Sequence, residues 1–493
     1  MAVRGERRRG ASRAVKWLED RAGIAQPVAR PHDLRYGAPM TATARLAEFI
    51  VKTPLDECPP AAVALVRRAA LDTLGVMLAG ASEPVARVVR RVVRAEGGLP
   101  LATVIGTSWK TSPSRAALAN GVAGHAHDFD DTNFALMGHP SVPLLATLLA
   151  TGEAEMADGR AVVGGYVVGF EVGAALGRAL NPDHYTRGWH ATASIGTLAC
   201  AAAAARVMGL DVSETRHALG VAASLASGLK ENFGSMTKPY HAGHAAMHGV
   251  LAAALARQGL DASASALEGR QGYVAAFGGA GVLDAALATL GTRWELLESG
   301  IAVKPYPSCA LTHAAIDALL ELRARHGPDP ERIAEVEIGV NRVVPDVLIY
   351  HAPATPLERK FSMEFCAASA IVHGRVDLDS FEDAAAAAPA LGALASRVRL
   401  VVDPGLPEGL EQHAWSRVTV RLTDGTSLAS PPRGAQGHPA TPLPPQRLRA
   451  KFLACATRAI PREDAEGLAE QIAELEHVPD IRALTARLVG ALE

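Results

Sequence analysis

The sequence lacks the features that define several large protein classes. It has only five cysteines in 493 residues, widely spaced and without a CxxC pair, which argues against a disulfide framework and against a zinc ribbon. Aromatic residues make up only 4% of the chain, and a net charge of −2 leaves no basic excess for a nucleic-acid surface. No GxGxxG sequence follows a predicted strand and no Walker loop is present, so we predict no nucleotide cofactor.

Apolar segments that would direct the chain to or through a membrane are also missing. The Arg-rich start has no apolar core of the kind a secretory signal needs, and we interpret residues 1–39 as a disordered extension or a start placed upstream of Met40. The most apolar stretch, residues 161–180, contains Glu171 and several glycines, which favours a buried helix. We therefore expect a cytoplasmic protein that binds no membrane.

The composition is that of a globular protein, with 49% hydrophobic and 20% charged residues. A chain of this length is too long for one core, which favours two domains. Up to about residue 300 the apolar positions have helical spacing in Ala-rich segments. After that point alternating residues predict strands at 336–340, 398–402 and 418–422, and Asp424-Gly425 after the last of them predicts a hairpin turn.

Four glycines recur at every fourth position of one predicted helix: Gly165, Gly169, Gly173 and Gly177. Glycine weakens a helix, so four on one line call for a packing reason. We predict that this ridge allows another helix to pack unusually close.

Four segments combine histidine, lysine and turn-forming residues: GHAHDFDDTNFALMGHPS, HYTRGWHATASIG, GSMTKPYHAGHAAMHG and KPYPSCALTHAAID. Each leads into an Ala-rich helix. Helix N-termini bind anions through free N–H groups, so several that meet at one cavity would suit a carboxylate substrate.

Other interpretations of these segments compete with this one. Imidazole and carboxylate groups in HAHDFDD suit a divalent metal, and His241, His244 and His248 share one helical face as zinc ligands could. No spacing matches a named metal motif, and helix capping, ion pairs or burial explain such residues equally, so we predict no metal. Cys309 could be a nucleophile, but a buried small side chain is the simpler interpretation.

Several segments resemble the MmgE/PrpD family and occur in this order: NGVAGHAHDFDDT, HPS, GWHATASIG, GSMTKPYHAGHAA, EGRQGYVAAF and KPYPSCALTHAAIDA. The likeness runs from about Met40 to the C-terminus and includes FSMEFC, GHPATPL and a KF-containing helix. The resemblance implies a mainly α fold, in which both chain ends form a large all-helical domain and a smaller α+β lid domain is inserted. We place the boundaries at residues 40–300, 301–430 and 431–493. It also implies a homodimer and a small polycarboxylate substrate, without a cofactor.

The resemblance also implies the site. Its catalytic residues would be Asp128, Thr132, His139 and His190, and its substrate-binding residues Lys238, His241, His244, Lys304 and Cys309. Lysines would hold carboxylates, His139 and His190 would be base and acid, and Asp128 would orient an imidazole. Two departures stand out. The decarboxylase branch has His where this chain has Cys309, and many relatives have Arg where it has His244.

Removal of a proton next to a carboxylate requires a base and cations that hold the enediolate charge. We therefore expect a metal-free hydro-lyase acting on 2-methylcitrate or a related hydroxy-polycarboxylate. An epimerase of a substituted dicarboxylate such as iminodisuccinate uses the same groups. A cis-aconitate-type decarboxylase is disfavoured by Cys309. A non-catalytic binding protein and a metal-dependent hydrolase are weaker alternatives.

Overall fold

The computed structural model describes residues 40–278, 283–407 and 415–492, so the predicted extension at residues 1–39 lies outside the described residues. Up to residue 300 the described chain is almost entirely helical. Its helices are α1 (Ala42–Lys52), α2 (Pro60–Gly80), α3 (Pro84–Glu96), α4 (Pro113–His125), α5 (Ser141–Glu155), α6 (Gly159–Leu180), α7 (Asp183–Thr186), α8 (Ala191–Val207), α9 (Val212–Leu225), α10 (Thr237–Arg257), α11 (Tyr273–Phe277), α12 (Leu283–Leu287) and α13 (Glu295–Glu298). Two short strands, β1 (Ala102–Thr103) and β2 (Lys110–Thr111), pair as a small hairpin.

After residue 300, helices and strands alternate before the chain becomes helical again. The helices are α14 (His313–His326), α15 (Pro356–Arg359), α16 (Met363–Val372), α17 (Asp383–Ala386), α18 (Pro389–Ala395), α19 (Pro445–Ala456), α20 (Arg462–Ala473) and α21 (Arg482–Thr485), and the strands are β3 (Ile333–Val340), β4 (Val398–Val402), β5 (Ser416–Leu422) and β6 (Ser427–Arg433). The prediction of a mainly α-helical protein is confirmed.

The four later strands form one mixed sheet in the order β4-β3-β5-β6, with β3 parallel to β4 and antiparallel to β5. All three predicted strands are present, and Gly425 turns the chain between β5 and β6 with φ +89°. We did not predict β6, which contains Pro431 and Pro432. Proline removes a ladder hydrogen bond, and β6 tolerates it because it lies at the sheet edge.

Two separate groups of buried apolar side chains stabilise these parts of the chain. The larger combines the helices before residue 300 with those at the end, so that Phe452 of α19 lies in the same cluster as Leu74 of α2. The second joins Val336 and Val418 of the sheet to Ile316 of α14 and Phe365 of α16. The predicted domain boundaries themselves stay predictions.

The glycine ridge of α6 explains how its neighbours approach so closely. A Cβ atom at Gly165 would lie 2.5 Å from Leu148 of α5, and one at Gly169 would lie 3.0 Å from the Ala199 carbonyl of α8. Side chains at these positions would therefore push α6 away from both helices. Among the described residues α6 alone is long and apolar enough to cross a membrane, but most of it is buried against other helices.

The helices that pack around α10 bring the predicted clusters together. Helices α4 and α8 both pack against α10, and α5 packs against all three. His125 is the last residue of α4, His190 is the N-cap of α8, and Lys238 lies in the first turn of α10. His139 precedes α5 by two residues. The chain folds so that one end of this helical group carries three of the four predicted segments.

Candidate active site

A cavity of about 120 Å³ lies at this end of the helical group. Seven polar residues that the sequence singled out line it: Asp128, Thr132, His139, His190, Lys238, Lys304 and Cys309. Its remaining wall is mainly apolar and comes from both parts of the chain: Phe134, Met137, Tyr185, Phe233, Leu311, Val343, Val347 and Phe361. The cavity thus combines convergent charged groups with an apolar wall, as small-molecule sites do.

Asp128 binds two lysine ammonium groups at the cavity. Its Oδ1 lies 2.7 Å from Lys238 Nζ and 3.1 Å from Lys304 Nζ, and all three side chains are buried. Burial alone would raise the pKa of Asp128, but the two ammonium groups outweigh it and hold that pKa well below its ordinary value. Asp128 is therefore a carboxylate at neutral pH, and it keeps both lysines beside the cavity.

The backbone fixes the position of Asp128 as well. Its φ of +51° lies in the left-handed region, which non-glycine residues rarely adopt. Lys304 Nζ donates to the Asp128 carbonyl at 2.8 Å, and a pair of backbone hydrogen bonds joins Thr132 to Ala302. Lys304 therefore binds both the side chain and the main chain of this turn.

Asp130, which we did not single out, lies between two imidazoles. Its Oδ1 is 2.8 Å from His125 Nδ1 and its Oδ2 is 3.2 Å from His139 Nδ1. The contact with His125 is a hydrogen bond, and it favours the His125 tautomer with its proton on Nδ1 and a lone pair on Nε2. For His125 this agrees with the Lys238 ammonium, which donates to its Nε2 at 2.9 Å. The contact with His139 is within ion-pair distance but lacks hydrogen-bond geometry.

His139 lies between two carboxylates, with its Nε2 3.6 Å from Asp128 Oδ1 and its Nδ1 3.2 Å from Asp130 Oδ2. Burial lowers the pKa of His139 and lowers that of His125 to about 4, so both rings are neutral at neutral pH. We expected Asp128 to orient an imidazole. The structure places Asp130 closer to the ring, and only the repeated DFDD acids hinted at it.

His190 contributes the second cavity imidazole. Its Nδ1 lies 2.9 Å from His241 Nδ1, so one ring donates and the other accepts. Burial lowers the pKa of both rings, and that of His241 falls to about 4. His241 thus lies behind His190 and is not part of the cavity wall.

His244, the other predicted substrate ligand on α10, lies outside the cavity. Its ring packs against His248 with centroids 4.0 Å apart, and its Nε2 lies 3.3 Å from Ser227 Oγ. Residues three and four apart share a helical face but need not face the cavity. The structure therefore does not place His244 where the predicted role in substrate binding needs it.

Cys309 lines the cavity beside Lys304. Burial raises the pKa of its thiol to about 11, so the group is an uncharged thiol at neutral pH. His313 of the same segment instead packs against Tyr306, with its Nε2 3.1 Å from the Ser308 carbonyl.

Three buried polar atoms of residues that line the cavity have no hydrogen-bond partner within the part of the chain that the structure describes. They are Thr132 Oγ1, Asp128 Oδ2 and His139 Nδ1. A buried polar atom without a partner is costly, so such atoms at a cavity indicate where a ligand binds. Thr132 is therefore placed to donate to a bound carboxylate.

The metal alternative has a geometric basis. Donor atoms of His125, Asp128, Asp130 and His139 all lie within 4.8 Å of one another. Imidazole and carboxylate ligands would suit a divalent ion. Lys238 Nζ, however, already binds His125 Nε2 and Asp128 Oδ1, so an ion at these atoms would have to displace an ammonium group.

Comparison with known proteins finds matches over most of the chain. Residues 44–284 match the model of the MmgE/PrpD N-terminal domain, and residues 306–477 match that of the C-terminal domain. Cis-aconitate decarboxylase of Mus musculus is 30% identical over 436 residues, which cover 86% of this chain and 88% of that protein. The Homo sapiens enzyme of the same name is also 30% identical, over 86% of this chain and 89% of its own length. A 2-methylcitrate dehydratase of Cupriavidus necator is 26% identical over 73% of this chain and 78% of its own.

Proposed function

The chain belongs to the MmgE/PrpD family, and we propose that it is a lyase that releases carbon dioxide from a small unsaturated polycarboxylate resembling cis-aconitate. The observation that carries the proposal is the pair of buried lysines, Lys238 and Lys304, held beside two neutral imidazoles. From the sequence we expected dehydration first. The relatives reverse that order, because the mouse and human decarboxylases match better than the dehydratase.

In the proposed reaction the bond to one carboxylate breaks and its electron pair forms a new carbon–carbon double bond. The original double bond shifts its electrons to the carbon next to a second carboxylate, which forms an enediolate. The enediolate takes a proton at that carbon, so a trianion and one proton give carbon dioxide and a dianion. Lys238 and Lys304 would stabilise the negative charge on the enediolate oxygens.

His139 and His190 would deliver the proton. Both rings are neutral at neutral pH, because burial and nearby ammonium groups lower each pKa. A bound polyanion would raise both pKa values, so that a ring would take up a proton from solvent and pass it to the enediolate. Thr132 would donate to a substrate carboxylate, and residues from the predicted lid, among them Val343 and Val347, would cover the apolar side of the substrate.

Dehydration of a hydroxy-polycarboxylate is the second candidate, and Cys309 favours it. The decarboxylase pattern has His at this position, whereas an uncharged thiol faces this cavity. In this reaction His139 Nε2 would remove the proton as a base, and an acid would protonate the leaving hydroxyl. The two reactions share the enediolate and differ in the group that leaves.

The test is a panel of citrate, 2-methylcitrate, cis-aconitate and substituted succinates in deuterated water with chelator present. Release of carbon dioxide from cis-aconitate, with deuterium in the product and no activity in His139→Ala, would support the main proposal. Loss of water would support dehydration, and exchange without elimination would indicate an epimerase. No reaction with any compound would reject the substrate class and favour a binding protein.

Cys309→His sharpens the choice between the two lyase reactions. If Cys309 limits decarboxylation, the histidine variant should raise the ratio of carbon dioxide released to water lost, while Cys309→Ser should leave it unchanged. An unchanged ratio in both variants would show that this position does not select the leaving group.

A further inference from the structure

Two lysines from distant parts of the chain bind consecutive carbonyl groups of the active-site turn. Lys304 donates to the carbonyl of Asp128 at 2.8 Å, and Lys451 of α19 donates to that of Phe129 at 2.7 Å. Asp128 adopts a left-handed conformation, with φ +51°. A non-glycine residue stays in that region only when its surroundings hold it there.

Lys451 is not among the residues that line the cavity. Its ammonium lies 2.6 Å from Asp72 Oδ1 of α2, and it also lies 3.9 Å above the Phe129 ring. Both charged side chains are almost fully buried, with 6% and 0% of their surface exposed. Phe129 is therefore bound through both its ring and its carbonyl.

A helix-to-helix ion pair is the simplest explanation of Asp72 and Lys451. Such a pair is poor evidence of stabilisation, because desolvation offsets most of the attraction when both charges are buried. The ammonium group of Lys451 also binds the second of the two peptide groups between Asp128 and Asp130, which an ion pair alone does not explain. Those two carboxylates hold the two lysines and two imidazoles of the site.

We propose that Lys451, with Asp72 as its counter-ion, is a positioning residue that fixes the turn at residues 128–130 and thereby orients the Asp128 and Asp130 carboxylates. This inference rests on the proposed function for its kinetic consequence. If the 129–130 peptide rotates, Asp130 moves relative to His139 and Asp128 moves relative to Lys238. Displacements of about 1 Å in such a group lower rates by about 10²-fold.

The test compares Lys451→Met, Lys451→Arg and the double variant Lys451→Met/Asp72→Asn, which leaves no buried charge unpaired. We expect the double variant to fold and to have a kcat about 10²-fold below that of wild type, with a smaller change in KM. The kcat of Lys451→Arg should lie between those of Lys451→Met and wild type. Lys110→Met is the matched control, because it removes a lysine paired with the buried Glu153 elsewhere in the fold.

A second measurement does not depend on the substrate. Nitrogen NMR of labelled histidine reports which ring nitrogen carries the proton, and the double variant should alter the signals of His125 and His139 while Lys110→Met leaves them unchanged. If wild-type protein converts no polycarboxylate, the proposed function fails but this measurement still tests the positioning role. Unchanged histidine signals in the folded double variant, or unchanged kcat in an active one, would overturn the proposal.

Discussion

The turn at residues 125–139 and the histidine row of α10 (His241, His244 and His248) look alike in the sequence and differ in the structure. The first places two histidines between buried carboxylates and lysines at a cavity. The second has no carboxylate within its row, and only His241 reaches the site, through His190. A histidine becomes a candidate for acid–base chemistry when a neighbouring group fixes its tautomer.

The difference follows from where each segment stands relative to a helix. Residues 126–140 connect α4 to α5, so their backbone turns and several side chains meet at one point. The row on α10 lies within a continuous helix, which separates the side chains along its axis. Turns at the ends of packed helices therefore concentrate function, while a row along a helix distributes its side chains over several environments.

Asp130→Asn should have the largest effect on kcat, because it changes the carboxylate that lies between His125 and His139 in the turn at residues 125–139. An amide NH2 group would oppose one imidazole and disturb the tautomers of His125 and His139. We expect kcat to fall by up to about 10⁴-fold, the loss that follows when a carboxylate that orients a catalytic histidine becomes an amide. Steady-state kinetics on folded protein checks this.

The adjacent Asp131 provides a matched control. Burial raises its pKa to about 8, and it is hydrogen-bonded to Ser141 at the start of α5. Asp131 is thus largely protonated at neutral pH, and Asn resembles that form. Asp131→Asn should retain kcat within about threefold. Equal losses in both variants would show that the acids of this turn act only through folding.

His241→Ala tests the contact through which the histidine row of α10 reaches the site. His190 would lose the partner of its Nδ1, but it would keep its place as the N-cap of α8. Because this partner would act on orientation alone, we expect kcat to fall about tenfold, less than the loss of a catalytic acid or base. A loss as large as that of His139→Ala would make His241 a participant in proton transfer.

Much of this contrast was not readable from the sequence. Periodicity gave the helices, and alternation gave β3, β4 and β5, because each pattern reflects a local burial requirement. Neither pattern predicted β6, because this strand contains Pro431 and Pro432, which a sheet tolerates only at its edge. Which strand lies at the edge depends on how the other strands pair.

The site residues were found mainly as residue types in ordered segments. The resemblance to the family, carried over residue by residue, gave Asp128, His139, His190, Lys238, Lys304 and Cys309 as site residues, and all six line one cavity. It could not show that Asp130 lies nearer the His139 ring than Asp128 does, because acids two residues apart differ only in how the turn directs them. Nor could it exclude His244 from the cavity wall, since that depends on the rotation of α10 against α4.

Acid should destabilise both regions alike, in spite of their different roles. Burial lowers the pKa of His125 to about 4 and that of His244 to about 3, so each ring stays neutral in the folded state while it binds a proton near pH 6.5 when unfolded. The unfolded chain then binds more protons, and the free energy of unfolding falls as pH drops below 6.5.

Each ring contributes up to about 1.4 kcal/mol per pH unit in that window. Urea unfolding between pH 7 and 4.5 should therefore show a shallower slope in His244→Gln than in wild type. His125→Gln should be shallower too, but should also lose activity. A His244→Gln slope identical to wild type would mean that this ring is protonated in the folded protein.

The smallest effect on activity is expected for His244→Arg, which installs the residue found in many relatives. If His244 bound substrate, a fixed cation would change KM strongly. Its ring instead contacts His248 and Ser227 outside the cavity, and burial there keeps it neutral. We therefore expect kcat and KM to stay within about threefold of wild type, because dissolved ions screen the interaction between the substrate and a charge outside the cavity. A tenfold fall in KM would show that position 244 of α10 contributes to substrate binding. The two histidine regions would then not differ in this respect.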